Sequence, residues 1–295
     1  MELTDIKRVA IVGAGRMGAQ IAGLFSRVGG YRVALWDLTD ELLKRGINSI
    51  SSDLERHFLK KGKISEEEYR EILGRIKPTT DIARAVADAD FVVEAVVENL
   101  EVKKEVFRKM DEAAPHHAIL ASNTSALNIT EIGSLTRRRD KVVGMHFFNP
   151  VAVMKLVEVV RSPLTSDETV EVTCSLAKKL GKEPVVCKDF SFGFIANRAY
   201  RAMRDEALQM VWERVAPPED IDKALKLGYA LPMGPLELGD LVGSWEIAAA
   251  SEESILKETG KRIHPLVKLM VRAGYTGGPG KKGIYDFWKE VLYKW

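Results

Sequence analysis

The residues best placed to do chemistry lie in Gly144-Met145-His146-Phe147-Phe148-Asn149-Pro150 and, after a gap of four residues, in Lys155-Leu156-Val157-Glu158-Val159-Val160. A histidine ends one apolar strand and a carboxylate sits inside the next. That is the pairing required of a general base that is held in one tautomer and stabilised once it takes a proton. Asn149-Pro150 stops the first strand, because proline cannot continue a central ladder, so the chain turns there and can bring Glu158 back beside His146. The competing reading is a core histidine satisfied by a backbone carbonyl. On these residues alone the two readings stand level.

The elements that would position such a pair begin with Arg8-Val9-Ala10-Ile11-Val12, which runs into Gly13-Ala14-Gly15-Arg16-Met17-Gly18 and then Ala19-Gln20-Ile21-Ala22-Gly23-Leu24-Phe25. This reads as a buried parallel strand, a GxGxxG turn and a helix with apolar residues at helical spacing. Gly13 allows the tight turn, Gly15 lets backbone approach a pyrophosphate at the helix N-terminus, and Gly18 lets helix and strand pack closely. A lone GxGxxG is weak, but a second strand, Arg32 to Trp36, ends in Asp37. A carboxylate there accepts hydrogen bonds from the adenosine ribose hydroxyls. It also repels a ribose 2′-phosphate, and Leu38 supplies no arginine to bind one, so NAD is favoured over NADP. Lys44 and Arg45 lie further down the next helix and read as solvated surface.

Short apolar runs then alternate with helical patterns: Phe91 to Val93, Leu100 to Ala114, Ala118 to Leu120, Ile129 to Leu135, Val142-Val143. The alternation predicts a doubly wound parallel sheet. Between Asp37 and Phe91 lie two charged helical segments, Asp40 to Lys61 and Glu66 to Leu73, the second opened by a Ser65…Glu68 capping box. They are too long for a simple crossover and read as a helical hairpin projecting from the sheet. Lys60, Lys61 and Lys63 on it could face a phosphorylated ligand, or dress an exposed helix end. Further on, Thr165…Glu168 caps a helix to Leu180, and Pro184 to Val186 is a strand. Beyond Asp189 nearly everything is helical, with one helix over Phe194 to Val215, another opened by Pro217-Pro218, and a glycine-rich loop from Gly274 to Gly283 before a short Ile284-to-Phe287 end. The expected domains are 1–188, a dinucleotide-binding α/β domain, and 189–295, a smaller all-α domain.

Composition narrows the class. The chain has 295 residues, long enough for two domains, and a formal charge of +2, so no field of one sign points to nucleic acid. Cys174 and Cys187 lie in no metal-type spacing and read as reduced, and no metal is expected. Met1 to Lys7 is charged and runs into a strand without a leader-type apolar core, and no run is long enough to span a bilayer, so the expected compartment is the cytoplasm.

Taken together, GAGRMG, FVVEAVVEN, ASNTSAL, GMHFFNPVAVMKLVEVV, GFIANR and PMGPLELGDLVG stand in an order that resembles the L-3-hydroxyacyl-CoA dehydrogenase family, in particular its bacterial 3-hydroxybutyryl-CoA dehydrogenases. The resemblance implies a Rossmann-type fold, NAD as cofactor, an acyl-CoA substrate and a homodimer formed through the C-terminal domain. It makes His146 the base for the substrate hydroxyl and Glu158 the residue that orients its ring. It places Ser125 and Asn197 on the reacting oxygen and thioester end, and Glu98, Lys103 and Asn149 around the nicotinamide half of NAD, with the hairpin and Lys60 toward coenzyme A. From residue type alone, Ser125 would be a turn residue, Asn197 a first-turn polar group, and Glu98 and Lys103 a solvated helix start.

Three features depart from the family pattern. Asp53 stands where a serine is usual in the hairpin, and a carboxylate there would repel a phosphate. The turn before the second domain, Asp189-Phe190-Ser191-Phe192-Gly193-Phe194, is one residue longer than DxPGF and lacks proline. Gly277-Gly278-Pro279-Gly280-Lys281 replaces a basic GRKTG segment. The expected reaction is reversible NAD-dependent oxidation of a short-chain (S)-3-hydroxyacyl-CoA to the 3-oxoacyl-CoA. The alternatives are a dehydrogenase of a non-thioester hydroxy acid, of the gulonate dehydrogenase and lambda-crystallin type, and a dinucleotide-binding protein without turnover. The lambda-crystallin type lacks the FF and KLVEV seen here, and a module that only binds has no need of the His146 and Glu158 pair.

Overall fold

A computed structural model describes residues 1–190 and 192–294; Ser191, within the expected turn 189–194, and Trp295 lie outside the described residues. The chain divides into two compact units after Phe190, two residues beyond the expected boundary.

In the first unit the chain runs β1 (Arg8–Val12), α1 (Arg16–Arg27), β2 (Arg32–Trp36), α2 (Asp40–Leu54), α3 (Glu66–Gly74), β3 (Ile76–Thr79), α4 (Ile82–Val86), β4 (Phe91–Glu94), α5 (Leu100–Ala113), β5 (Ile119–Ser122), α6 (Ile129–Ile132), β6 (Val142–Phe147), β7 (Leu156–Arg161), α7 (Asp167–Lys179) and β8 (Glu183–Lys188). The strands form one eight-stranded sheet in the order β3-β2-β1-β4-β5-β6-β7-β8. All neighbours are parallel except β6 and β7. The expected doubly wound α/β architecture is therefore present. Continuous apolar strands are the reason: every residue of β4 and β6 is buried, which requires cover on both faces of the sheet. Ile21, Leu24 and Phe25 of α1 and Leu176 and Ala177 of α7 pack with Ile11, Leu35, Phe91, Val143 and Val159 in one cluster.

The region between Asp37 and Phe91 is built differently from its expected form. It is a crossover to an edge strand, β3, which pairs in parallel with β2. Pro78 inside β3 hid the strand, yet the sheet edge is where a proline without an N–H donor is tolerated. The hairpin itself exists, with α2 running into a π-helical turn at Glu55–Leu59 and Ser65 capping α3 as expected. Its first helix packs on α1 and on the turn before it: Leu43, Gly46, Ile50 and Leu54 are buried, a Cβ at Gly23 of α1 would lie 3.4 Å from Ile50 Cγ2, and one at Gly46 would meet Ala14 O at 2.8 Å.

Two helix limits also moved. Ser166, not Thr165, caps α7, its Oγ accepting from Thr169 N, while Thr165 Oγ1 donates to Val142 O at 2.7 Å. The expected helix 194–215 is shorter, because Phe194 and Arg214 adopt positive φ, 50° and 59°, outside helical space.

The second unit holds α8 (Ala196–Trp212), α9 (Pro218–Tyr229), α10 (Pro235–Val242), α11 (Ser244–Ala250), α12 (Glu252–Thr259), α13 (Pro265–Arg272) and α14 (Ile284–Glu290). Pro218 opens α9 as expected, and α11 to α13 were not foreseen individually. Leu208, Leu236, Trp245, Leu266, Val267 and Phe287 form its core. Two carboxylates, buried Asp222 and half-buried Asp240, staple the helix starts. Asp222 accepts from Leu236 N and Glu237 N, and Asp240 accepts from Trp245 Nε1 and Ile284 N. Most of the PMGPLELGDLVG motif is thus scaffold. No helix among the described residues is long and apolar enough to cross a membrane.

Candidate active site

The antiparallel register of β6 and β7 sets His146 directly opposite Glu158. Directly paired residues on one face lie within side-chain reach, so the ring and the carboxylate meet without distortion. His146 Nδ1 is 2.8 Å from Glu158 Oε2, and the residues are 3% and 0% exposed. Satisfied by a carboxylate instead of a backbone carbonyl, this histidine departs from the core-packing reading. If Glu158 is ionised, it accepts from Nδ1–H, and the lone pair of the neutral ring then lies on Nε2. On the next strand, burial first, then the Glu158 and Asp189 charges, push the Cys187 thiol up to about 12. Cys187 is held as an unreactive thiol.

Nearer the middle of the sheet, strand order reverses between β1 and β4, the switch point where open α/β sheets bind ligands at their carboxyl ends. Gly13 has φ +112°, and a Cβ on it would meet Ala95 O at 2.6 Å. A Cβ on Gly18 would collide with the Gly13 carbonyl oxygen. For Gly15, at the N-cap of α1, no described atom lies within 4 Å of where its Cβ would be. The three glycines thus differ in their surroundings: Gly13 and Gly18 are closely packed and Gly15 is open. Arg16 and Met17 form the first residues of α1. Asp37 folds back under the turn, its Oδ2 accepting from Ala14 N at 2.8 Å and its Oδ1 from Leu38 N at 2.7 Å.

At the end of β4, beside the switch point, lies a network that residue types alone did not reveal. Glu94, at the last position of β4 and fully buried, accepts from Lys103 Nζ, Val96 N and Ser122 Oγ, each at 2.7 Å. Lys103, 1% exposed, also lies 3.3 Å from Glu98 Oε2. Glu98 Oε1 in turn accepts from Thr124 Oγ1 at 2.5 Å and from Ser125 N at 2.9 Å. Lys103 is thus no solvated helix start; its charge is neutralised inside the fold. A buried charge keeps its place only when paired and hydrogen-bonded, and breaking such a pair costs about 3–5 kcal/mol. The network fixes the exposed Ser125 loop relative to β4. The available sequence signal was Glu94 itself, one charge closing an apolar strand.

Asn149 is exposed at the turn after β6, where the Asn149–Pro150 peptide bond is cis, and its Oδ1 accepts from Gln20 Nε2 at 3.0 Å. Lys60 sits on the exposed end of the hairpin, 2.8 Å from Glu55, and Asp53 is exposed on the last turn of α2. Asn197 lies in the second unit, in the first turn of α8. In the same unit the loop 277–281 is a tight glycine turn with Lys281 Nζ 3.3 Å from Glu246. Among the described residues no group of His, Cys, Asp and Glu side chains could hold a metal ion.

Comparison with known proteins bears directly on this geometry. A family model described as 3-hydroxyacyl-CoA dehydrogenase, NAD binding domain, matches residues 8–190, and its C-terminal domain counterpart matches residues 193–287. The chain is 42% identical over 285 residues to a probable 3-hydroxybutyryl-CoA dehydrogenase of Bacillus subtilis, covering 96% of this chain and 98% of that one. It is 40% identical over 292 residues to a 3-hydroxyadipyl-CoA dehydrogenase of Escherichia coli, covering 98% of this chain and 60% of the other. Among solved structures, the (S)-3-hydroxybutyryl-CoA dehydrogenase of Ralstonia eutropha superposes with a TM-score of 0.87 at 38% identity, covering 95% of this chain and 98% of that one. An NAD-binding sheet unit, a buried histidine–carboxylate pair and these matches over nearly the whole chain lead to one conclusion: the protein belongs to the 3-hydroxyacyl-CoA dehydrogenase family.

Proposed function

We propose that the protein oxidises a short-chain (S)-3-hydroxyacyl-CoA to the 3-oxoacyl-CoA, reversibly, with His146 as the proton acceptor. The observation that carries this reading is the buried His146–Glu158 pair at 2.8 Å. The open space over Gly15 and the Asp37 carboxylate fit a dinucleotide, Gly15 admitting a pyrophosphate and Asp37 a ribose diol. NAD supplies the acceptor for the hydride that leaves C3 with its electron pair. His146 Nε2 takes the hydroxyl proton, and the C3–O bond becomes a carbonyl. Glu158 offsets the charge that the ring gains. Ser125, held by Glu98 through its backbone, is proposed to hydrogen-bond the reacting oxygen, with Glu98 and Asn149 near the nicotinamide and Lys103 holding Glu98. Asn197 is proposed as a substrate-binding side chain on the strength of the family resemblance alone. Lys60 can turn from Glu55 to a coenzyme A phosphate at little cost, because an exposed ion pair contributes about 0–1 kcal/mol. A homodimer through the all-α unit and a cytoplasmic location complete the proposal, the dimer supported by exposed Leu227, Tyr229 and Ile247.

The test follows NADH formation with 3-hydroxyacyl-CoA substrates of rising chain length, alongside free 3-hydroxybutyrate and gulonate. Turnover should be confined to the thioesters and highest with short chains. Preferential oxidation of gulonate or the free acid would replace this reading with the non-thioester dehydrogenase.

A further inference from the structure

The turn after the histidine strand carries Asn149, and one side chain of α1 decides which end of its amide faces outward. Val151 N bears a hydrogen and can only donate, so the Gln20 atom 2.8 Å from it is the carbonyl Oε1. The other end of the same amide, Nε2, must then donate, and at 3.0 Å it reaches Asn149 Oδ1. With Oδ1 engaged by Gln20, the exposed Asn149 presents the hydrogens of Nδ2.

We propose that Gln20 is a positioning residue of the cofactor site, one that sets Asn149 as a hydrogen-bond donor to an oxygen on the nicotinamide half of NAD. This rests on the reading given above that Asn149 faces that half. Gln20 belongs to the helix that begins in the dinucleotide turn, so one helix both receives the pyrophosphate and orients the side chain at the far end of the cofactor. The turn backbone has other supports. Val153 N and Met154 N donate to Pro150 O at 3.0 and 2.9 Å, and the Lys182 ammonium donates to the carbonyls of Val151 and Met154. A substitution at Gln20 should therefore act on the polarity of Asn149 and leave the turn in place.

Gln20→Glu tests this, because a carboxylate keeps the shape and still accepts from Val151 N but offers Asn149 a second acceptor. The Asn149 amide must turn over to donate to it, and then shows an acceptor outward. NADH affinity, read by fluorescence titration, should weaken about tenfold, the scale of one lost neutral hydrogen bond. The KM for NAD should rise in step, with kcat and melting temperature nearly unchanged. Gln20→Met, which releases Asn149 and also takes the acceptor from Val151 N, should weaken NADH binding by a smaller factor. The added charge of Gln20→Glu is separated from the amide effect by repeating it in an Asn149→Ala background. Reversal of the amide has no consequence there, whereas repulsion of the pyrophosphate persists. An equal loss in both backgrounds, or no loss from Gln20→Glu beside a weakened Asn149→Ala, overturns the proposal and leaves the reading of Asn149 standing. If Asn149→Ala binds NADH as the parent does, that reading falls, and the proposal falls with it.

Discussion

Replacing Glu158 by glutamine keeps the size of the side chain and removes one charge from beside His146. With Glu158 ionised, the neutral ring of the parent donates Nδ1–H to Oε2, 2.8 Å away, and proton uptake at Nε2 then creates a cation next to a buried anion. With charge centres about 4 Å apart and an effective dielectric of about 20, that attraction is about 4 kcal/mol. A transition state with the proton half transferred draws on about 2 kcal/mol of it, about 30-fold in rate, and one with the proton fully transferred on all of it, about a thousandfold. A second effect runs the same way. Glutamine can turn its NH2 toward Nδ1 and select the tautomer with hydrogen on Nε2, which cannot accept the substrate proton; the comparable exchange in a serine protease triad costs about 10⁴ in kcat. The expected fall in kcat is therefore between about 30-fold and 10⁴-fold. Burial shields the pair from counterions, so added salt should leave the deficit unchanged. The assay is NADH formation at saturating 3-hydroxybutyryl-CoA and NAD, with a parallel NADH titration. Cofactor affinity should hold, because β7 stands four strands from β1 in the sheet. A folded variant with kcat within threefold of the parent would refute the assigned role of the pair.

Gly15→Ala and Gly18→Ala should separate binding from folding. The first adds a methyl to open space at a helix N-cap and should lower NAD affinity with a stability loss of about 1 kcal/mol at most, whereas the second drives a methyl into the Gly13 carbonyl and should lower the melting temperature as well. Calorimetric titration beside thermal melts decides between them; equal melting losses for the two would contradict the packing described. Asp111 carries an acid-sensitive part of the stability: burial pushes its carboxyl up, but Arg137 N–H and the Arg138 and Arg137 guanidiniums outweigh that and hold it below the usual carboxylate range. The folded state thus binds this proton less readily than the unfolded chain, so the contribution is complete above the ordinary carboxylate value and is lost as pH falls from there through the lowered folded value. Asp111→Asn should be destabilised by about 3 kcal/mol or more at neutral pH. Its melting temperature should fall less steeply than the parent's below about pH 5; parallel profiles would rule the pairing out.

The parts of the fold that could be read in advance are those where one residue type has one physical use. HFFNP followed by KLVEV states two strands and a stop, and the register that pairs His146 with Glu158 follows once the shared face is buried on both strands. GxGxxG with Asp37 states a turn, a helix start and a carboxylate at the next strand end, and Ala14 N on Asp37 Oδ2 is the bond that joins them. Residues whose use depends on distant partners were illegible. Pro78 reads as a breaker until its strand is known to be the sheet edge. Lys103 reads as solvent-facing until Glu94, nine residues earlier, is found buried beneath it. Gln20 reads as one polar position on an amphipathic helix until the turn at 149–151 arrives from 130 residues away to meet both ends of its amide.

The antiparallel β7 explains why the base can be both buried and fixed. A parallel neighbour would need a crossover connection, leaving the carboxylate's height beside His146 to a long and separate segment. The short return through residues 148–155 instead makes Glu158 the direct ladder partner of His146, so its position follows from backbone hydrogen bonds. The carboxylate then has no reorganisation to undergo as the ring gains charge, and burial at 0% exposure keeps water from screening it. The same logic holds across the sheet. Glu94 is fixed by β4 and in turn holds Lys103, Ser122 and, through Glu98, the loop of Ser125. Charges that would each be costly to bury alone meet partners that satisfy them, and two groups left facing outward, Ser125 and Asn149, are each held by one neighbour, Ser125 by Glu98, which Lys103 ties to buried Glu94, and Asn149 by Gln20.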